Sequence, residues 1–386
     1  MSNKKTSIIF SGDIGFDKYM DKRWEDEKLL SKSLIDFFHT SDHVCLNVEG
    51  AICDLAEDGT RGAYFHAMNP AAIEVFNKIG ADVWSIGNNH IMDAGESGVV
   101  STLYYAEKNN VKTIGAGLNE EEASAPVYFD GAGGIGVFCT TYMPEKVPAT
   151  STTAGFFRWD DFELIKRRID EVKAKCRWCV IVCHGGEEFN PMPSAYTRER
   201  FIRYLELGAD AVVAHHPHVP ENYELFENGK MIFYSLGNFI FDTNYQRAHL
   251  YTDVGVLLKL VFDGDKLDFE AVGTKLCREE ERIDLAPLPD IFTNIEETEY
   301  NTLLPLAAKA FVAEEKRRKI FLYPDRFSDA TEDEWKKYFL SEEPSGFCKD
   351  AHMDFYTVYS EALKAEDGEW KSSKLEKVKE YILKLV

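Results

Sequence analysis

The chain reads as an α/β protein that carries a helical C-terminal extension, and three observations say so. Over residues 5–275, short β-rich runs alternate with stretches whose apolar residues recur every three or four positions. That is the texture of strands interleaved with amphipathic helices. Twice, at Gly80-Ala-Asp82 and Gly208-Ala-Asp210, a glycine closes a helical stretch and feeds a buried apolar run. Each run reaches a histidine ten residues after its glycine, at His90 and at His218. From about residue 285 the runs become charged and helical in period, with no cluster of chemically active side chains. The 386 residues are therefore expected to divide into an α/β unit over 5–280 and a helical extension over 285–386.

Each element has its own reason. Ile8–Ser11, His43–Asn47, Val83–Ile86 and Gly136–Thr140 are short apolar or β-branched runs bounded by turn residues, as are Cys179–Cys183, Ala211–Ala214, Met231–Ser235 and Val254–Val261. Between them Leu29–Phe38, Ala71–Lys78, Val99–Lys108, Asp161–Lys175 and Arg198–Leu207 carry the helical period. Gly80 and Gly208 stop their helices because glycine enters the left-handed region at little cost. In the extension, Glu296–Val312, Glu332–Phe339 and Lys374–Val386 are helical by period.

Composition narrows the function. The 66 acidic and 44 basic residues leave a formal charge of −22, which excludes a general binder of nucleic-acid backbone. A substrate is then neutral, cationic, or held where a bound cation reverses the local field. No run approaches the length of about 18 apolar residues that a membrane span needs. Residues 1–6 lead straight into the apolar run Ser7–Phe10, which reads as a strand rather than a signal-peptide core. The expected compartment is the cytoplasm, and the eight cysteines, several inside apolar runs, are expected to be reduced and buried. Cys176-Arg-Trp-Cys179 has the spacing of half a zinc knuckle without a matching second pair.

The polar residues that matter collect at strand ends. Six runs end in Gly-Asp13, Asn47-Val-Glu49, Asn88-Asn89-His90-Ile-Met-Asp93, His184-Gly-Gly-Glu187-Glu188, His215-His216-Pro-His218 and Gly-Asn238. In α/β sheets, sites form outside the carboxyl ends of strands. Five of the ten histidines fall in three of these clusters, which packing alone would not arrange. Asp13 and Glu49 offer anionic oxygens, Asn89 an amide oxygen, and His184, His216 and His218 imidazole nitrogens. A mixed nitrogen and oxygen set suits Mn²⁺, Fe²⁺ or Zn²⁺ better than Mg²⁺ or Ca²⁺. His216-Pro-His218 is expected to be extended, pointing both imidazoles one way. His90 is the candidate proton donor or oxyanion stabiliser, with Asp93 as its orienting carboxylate. Asn47, Asn88, Glu187 and Asn238 are the candidate substrate-binding residues, although Asn88 and Asn238, each after a glycine, equally fit left-handed turns. His215 is expected to face away from the cluster, and His39, His43, His66, His249 and His352 read as isolated surface or core residues.

Taken in order, these motifs, with Tyr234-Ser-Leu-Gly-Asn238-Phe and the Gly-Ala-Asp210 turn before His216-Pro-His218, resemble the poly-γ-glutamate capsule biosynthesis (CapA-like, PGA_cap) family. That family is related to the calcineurin-like metallophosphoesterases. The resemblance covers about residues 5–275 and implies a four-layer α-β-β-α sandwich with a metal site at one edge of its two sheets. It implies that Asp13 and His218 hold one metal, that Asn89, His184 and His216 hold a second, that Glu49 bridges them, and that His90 is the catalytic imidazole. Two positions depart from the phosphoesterase pattern. Gly15 stands where a histidine ligand follows the first aspartate, and Glu49 is one methylene longer than the usual bridging aspartate. One or two divalent ions are therefore expected. The implied function is metal-assisted hydrolysis or transfer on a γ-glutamyl or peptide-like substrate, with Lys18 and Arg198 as candidate steering cations at the mouth. Alternatives are a phosphoesterase acting on a small phosphoester, a peptide Cα epimerase, and a non-catalytic polymer-binding subunit. The oligomeric state is left open.

Overall fold

The computed structural model describes residues 4–54, 65–142, 148–340, 349–364 and 373–386. In chain order the strands of its two large sheets are β1 (Thr6–Ile14), β2 (His43–Val48), β3 (Val83–Ser85), β4 (Lys112–Ile114), β5 (Val127–Phe129), β6 (Ile135–Thr141), β7 (Trp178–His184), β8 (Ala211–His215), β9 (Tyr223–Leu225), β10 (Met231–Phe233), β11 (Asn238–Ile240), β12 (Val254–Asp263), β13 (Lys266–Cys277) and β14 (Arg282–Ala286). One sheet has eight strands in the order β14-β13-β12-β1-β2-β3-β4, with β11 added beside β1. The other has six, in the order β9-β10-β8-β7-β6-β5. The helices are α1 (Lys32–Phe38), α2 (Ile73–Lys78), α3 (Gly95–Lys108), α4 (Phe162–Lys175), α5 (Ala195–Leu207), and in the extension α6 (Glu297–Leu322), α7 (Glu332–Phe339), α8 (Lys349–Ala362) and α9 (Ser373–Leu383), beside shorter helical turns.

Side-chain alternation sorts the strands into layers. Ile8 and Phe10 of β1 meet Val137 and Cys139 of β6, Val180 and Val182 of β7, and Val213 of β8 in one cluster between the sheets. The opposite face of the first sheet (Ile9, Val44, Leu46) packs on Leu34 and Phe38 of α1, Phe76 of α2 and Val99 of α3. The outer face of the second sheet (Phe138, Ile181, Val212) packs on Leu164 and Ile169 of α4 and Phe201 and Tyr204 of α5. The order is helix, sheet, sheet, helix: a four-layer α-β-β-α sandwich.

The two helix–glycine–strand units are built alike. Gly80 has φ +74° and Gly208 φ +125°, conformations that glycine tolerates. The aspartate two residues on clamps the neighbouring strand in both. The Val44 N–H donates to Asp82 at 2.9 Å, and the Cys179 N–H donates to Asp210 at 2.7 Å. Each clamp fixes where its strand starts, and therefore the level at which its histidines emerge.

Several elements lie outside the sequence expectation. β13 and β14 extend the first sheet antiparallel past residue 280. They carry Glu, Asp and Lys on one face, so their apolar run is interrupted. α6 runs ten residues beyond Val312, through the charged segment 314–319. The extension has its own core, in which Leu303, Ala307 and Phe311 of α6 pack on Trp335 and Phe339 of α7, Phe355 of α8 and Val378 and Ile382 of α9.

Candidate metal centre

The first donor is placed by a backbone irregularity. Ile9 and Ile14 of β1 both face the outer helices, which strict alternation over five residues would forbid. The pairing of β1 with β2 shifts register between Phe10 and Asp13. That shift turns Asp13 inward, toward the second sheet. In register, Asp13 lies between Asn47 of β2 and Asn238 of β11. The Asn47 Nδ2 donates to Asp13 Oδ1 at 2.7 Å. Asn238 Oδ1 lies 2.9 Å from His218 Nδ1, while its Nδ2 donates to Gln246 and to the Thr252 carbonyl.

Glu49 leaves the end of β2 and occupies the middle of the cluster. Its Oε1 lies 3.7 Å from His184 Nε2, 3.7 Å from His218 Nε2 and 3.8 Å from His90 Nε2. Among the described residues neither Glu49 oxygen has a hydrogen-bond partner and both are sealed from solvent, while Asp13 Oδ2 lies 3.1 Å from His218 Nδ1. Two groups of three donors result, Glu49–His184–His216 and Asp13–Glu49–His218, each with its ligand atoms within 4.8 Å of one another. Asn89 Oδ1 joins the first group, 2.9 Å from His184 Nε2. Asp13, Glu49 and Asn89 arrive from the first sheet and its loops, whereas His184, His216 and His218 arrive from the second.

The electrostatics fit a cation. Burial pushes the Glu49 carboxyl well above its usual range; His218 pulls it down and Asp13 pushes it further up. Burial opposes ionisation of Asp13 too, but His218 beside it holds its carboxyl below the ordinary value. Burial also works against a charged His218, yet Glu49 and Asp13 hold it up to about 10. Burial keeps His184 well below 6.5 and takes His216 down to about 4, leaving neutral imidazoles with lone pairs to share. A buried carboxylate with both oxygens orphaned costs several kcal/mol unless a cation or proton meets it. The donor set is the mixed nitrogen and oxygen type that suits Mn²⁺, Fe²⁺ or Zn²⁺.

The expected side chains fall into four sets. Asp13, Glu49, Asn89, His184, His216 and His218 come together. His90 stands beside them with Nδ1 2.7 Å from Asp93 Oδ2, so the expected orienting carboxylate is in contact. Asn47 and Asn238 face other protein groups and hold Asp13 and His218. The remaining two candidates are committed elsewhere. Asn88 ties its loop together, accepting from the Gly50 and His90 N–H groups and donating to the Val48 carbonyl. Glu187 is spent at the start of α5, where it accepts from the Ser194 N–H and hydroxyl and from the Thr197 hydroxyl.

Other expectations are corrected. The His216-Pro-His218 segment is not extended: φ is +100° at His216 and +60° at His218, and the two imidazoles join different donor groups. Such strain in non-glycine residues is characteristic of functional sites. Asn88 and Asn238 are not left-handed; Gly237, with φ +66°, makes that turn. His215 does not face away. It continues the inward row of Ala211 and Val213, and its Nδ1 lies 3.6 Å from Asp13 Oδ1. Arg198 is no mouth cation, being buried in a paired contact with Glu224 at 2.6 and 2.9 Å. Lys18 is partly exposed and sits 3.8 Å from Asp17. Over Gly15 lies the Phe241 ring, which a Cβ there would meet at 2.7 Å, so the position of the missing histidine is filled by packing. Cys176 and Cys179 sit in the outer apolar cluster with free thiols.

His66 and His249, expected to be isolated, are not, and the sequence reading missed Asp17 and the contribution of the extension. His66 packs edge-on against His90 with ring centroids 4.3 Å apart. Glu188 accepts from the Tyr245 hydroxyl at 3.0 Å, and Arg318 of α6 helps to hold its carboxyl below the usual range against burial. Phe189, left-handed at φ +61°, stacks on His249 at 3.8 Å, and His249 Nδ1 lies 2.6 Å from Glu314 of α6.

Comparison with known proteins follows the same residues. The model of a family described as "Bacterial capsule synthesis protein PGA_cap" matches residues 7–243. The "PGA biosynthesis protein CapA" of Bacillus subtilis (strain 168) is 30% identical over 253 residues, which span 64% of this chain and 66% of that protein. The "Capsule biosynthesis protein CapA" of Bacillus anthracis is 26% identical over 262 residues, 64% of this chain and 62% of that one. The chain thus spans slightly less than two thirds of these relatives. Among solved structures, a 5'-nucleotidase from Candida albicans SC5314 aligns with TM-score 0.40 and 11% identity, over 69% of this chain and 50% of that one.

Proposed function

Because the chain belongs to the bacterial capsule synthesis protein (PGA_cap) family, we propose that it is a metal-dependent enzyme acting on a γ-glutamyl or peptide-like substrate by hydrolysis or transfer. The observation that carries the reading is Glu49, buried, with both oxygens orphaned and shared by two three-donor groups. Asp13, Glu49 and His218 would hold one divalent ion, and Glu49, Asn89, His184 and His216 a second. When bound, such an ion polarises a carbonyl oxygen and lowers the pKa of coordinated water. The chain's own residues do the rest. His90 carries a proton at Nε2 for the leaving nitrogen, and Asp93 at Nδ1 fixes the ring and its tautomer. Asn47 and Asn238 fix Asp13 and His218 from either side. Sealing the donors from water strengthens every charge interaction among them.

Glu49→Gln removes the shared anion while keeping size. The expected result is loss of at least one equivalent of bound metal by elemental analysis. Turnover of a γ-glutamyl peptide should fall by about 100-fold or more, the scale of losing a main electrostatic element. Full turnover by metal-stripped protein would overturn the proposal. A second reading, a phosphoesterase, is favoured by the sharing of one carboxylate between two donor groups, since paired ions clamp phosphoryl oxygens. Efficient turnover of an aryl phosphate with Mn²⁺, and none of the γ-glutamyl peptide, would put that reading first.

A further inference from the structure

A second imidazole–carboxylate pair stands beside His90. The short pairing of Ala51–Ile52 with Ala67–Met68 draws His66 alongside Gly50, the residue after Glu49. Only glycine permits the approach, since Gly50 has φ +105° and a Cβ there would come within 2.7 Å of the His66 carbonyl oxygen. His66 Nδ1 lies 2.8 Å from Asp17 Oδ2. The His66 N–H donates at 3.0 Å to Asp93 Oδ2, the same oxygen that holds His90 Nδ1. The His66 ring stands edge-on to His90 at 80° and packs on Phe241 with centroids 5.2 Å apart. Asp17 and two neighbouring rings therefore fix this imidazole, and Asp93 holds its backbone. With Nδ1 committed to Asp17, Nε2 is the ring atom left to meet a ligand, and the residue keeps 8% of its surface exposed. His66 belongs to neither donor group.

We propose that His66 is a further catalytic residue, one that contacts the substrate. Its Nε2 accepts a hydrogen bond from the N–H of the scissile γ-glutamyl or peptide amide and presents the leaving nitrogen to His90. The inference rests on the enzymatic reading given above. It selects an amide over a phosphoester, because an ionised phosphoester offers only acceptors to this atom.

The full chain, loaded with Mn²⁺, is treated with diethyl pyrocarbonate, and modified histidines are mapped by mass spectrometry with and without γ-glutamylglutamate. His66 should be modified in the free protein and protected about fivefold or more by the dipeptide, while the exposed His39 is unchanged. His66→Gln should keep the metal content of the parent chain and raise KM for the dipeptide about tenfold, the scale of one lost hydrogen bond to a ligand. Asp17→Asn should fall between the two. Equal modification with and without dipeptide, or an unchanged KM in His66→Gln, overturns the proposal. Protection of His66 without any turnover defeats the enzymatic reading and leaves the contact standing. Turnover with His66 unprotected does the reverse, and absence of both defeats both.

Discussion

Asp13 reaches the cluster because β1 loses register for a few residues, and Asn47 on the neighbouring strand holds its Oδ1 at 2.7 Å. No composition rule foretells such a slip; the glycine at position 12 is its only mark in the sequence. The donor residues themselves were legible, since carboxylate, amide and imidazole groups recur at the ends of successive apolar runs. The helpers were legible as residues but not as roles: a side chain beside a metal ligand and one beside a substrate look alike in one dimension. Asn238 makes the point. It was read as a substrate contact, and its oxygen holds His218 at 2.9 Å. Asn238→Ala is therefore expected to weaken metal binding by about 10- to 100-fold, the usual cost of losing a partner that orients a ligand. Calorimetric titration with Mn²⁺ checks it, and unchanged affinity would place Asn238 back among the substrate contacts. Glu187 was hidden for a related reason, because its partners Ser194 and Thr197 open the following helix and only the fold reveals that they take both its oxygens.

At the scale of elements, the two glycine–aspartate units were visible from their spacing, and their strands and helices form where the periodicity puts them. The C-terminal helices were visible too, but not their reach. A charged run such as 314–319 reads as a solvated face, whereas here Glu314, Glu315, Arg318 and Lys319 are buried because α6 lies against the segments that follow β7 and β11, which bring Glu188, Tyr245 and His249. Within the extension, His352 of α8 is fully buried with its ring edge-on to Phe311, centroids 4.9 Å apart. Burial lowers it from 6.5 to about 4, with Glu315 pulling upward and Arg318 and Lys319 reinforcing the fall. An unfolded chain takes up this proton near pH 6.5 and the folded one resists until about pH 4. The contribution is therefore complete above pH 6.5 and is lost as the pH falls through that interval, up to about 3 kcal/mol in all. Urea midpoints at pH 7 and pH 4.5 should converge for His352→Gln relative to the parent chain. An identical acid shift in both would remove His352 as the cause.

For the whole molecule, net charge excluded a general binder of nucleic-acid backbone, and the family resemblance carried by the order of motifs implied four layers. What the sequence could not foretell was contact between distant segments, such as His66 with His90 or Glu314 with His249. These depend on how sheets and helices stack, not on local spacing. A ligand that binds only the folded chain stabilises it by mass action. Mn²⁺ at about 100 times its dissociation constant should add about 2.7 kcal/mol, read as a rise in Tm that a chelator reverses. No movement of Tm in either direction would speak against any ion bridging the layers. The donors are also divided by chemistry, since one sheet contributes only oxygen and the other only nitrogen. A half-molecule would accordingly speak a different dialect of coordination, the first half favouring hard alkaline-earth ions and the second favouring softer transition metals. On the proposed metal-dependent reading, metal preference is thus a property of closure, set only where the oxygen donors of one sheet meet the nitrogen donors of the other.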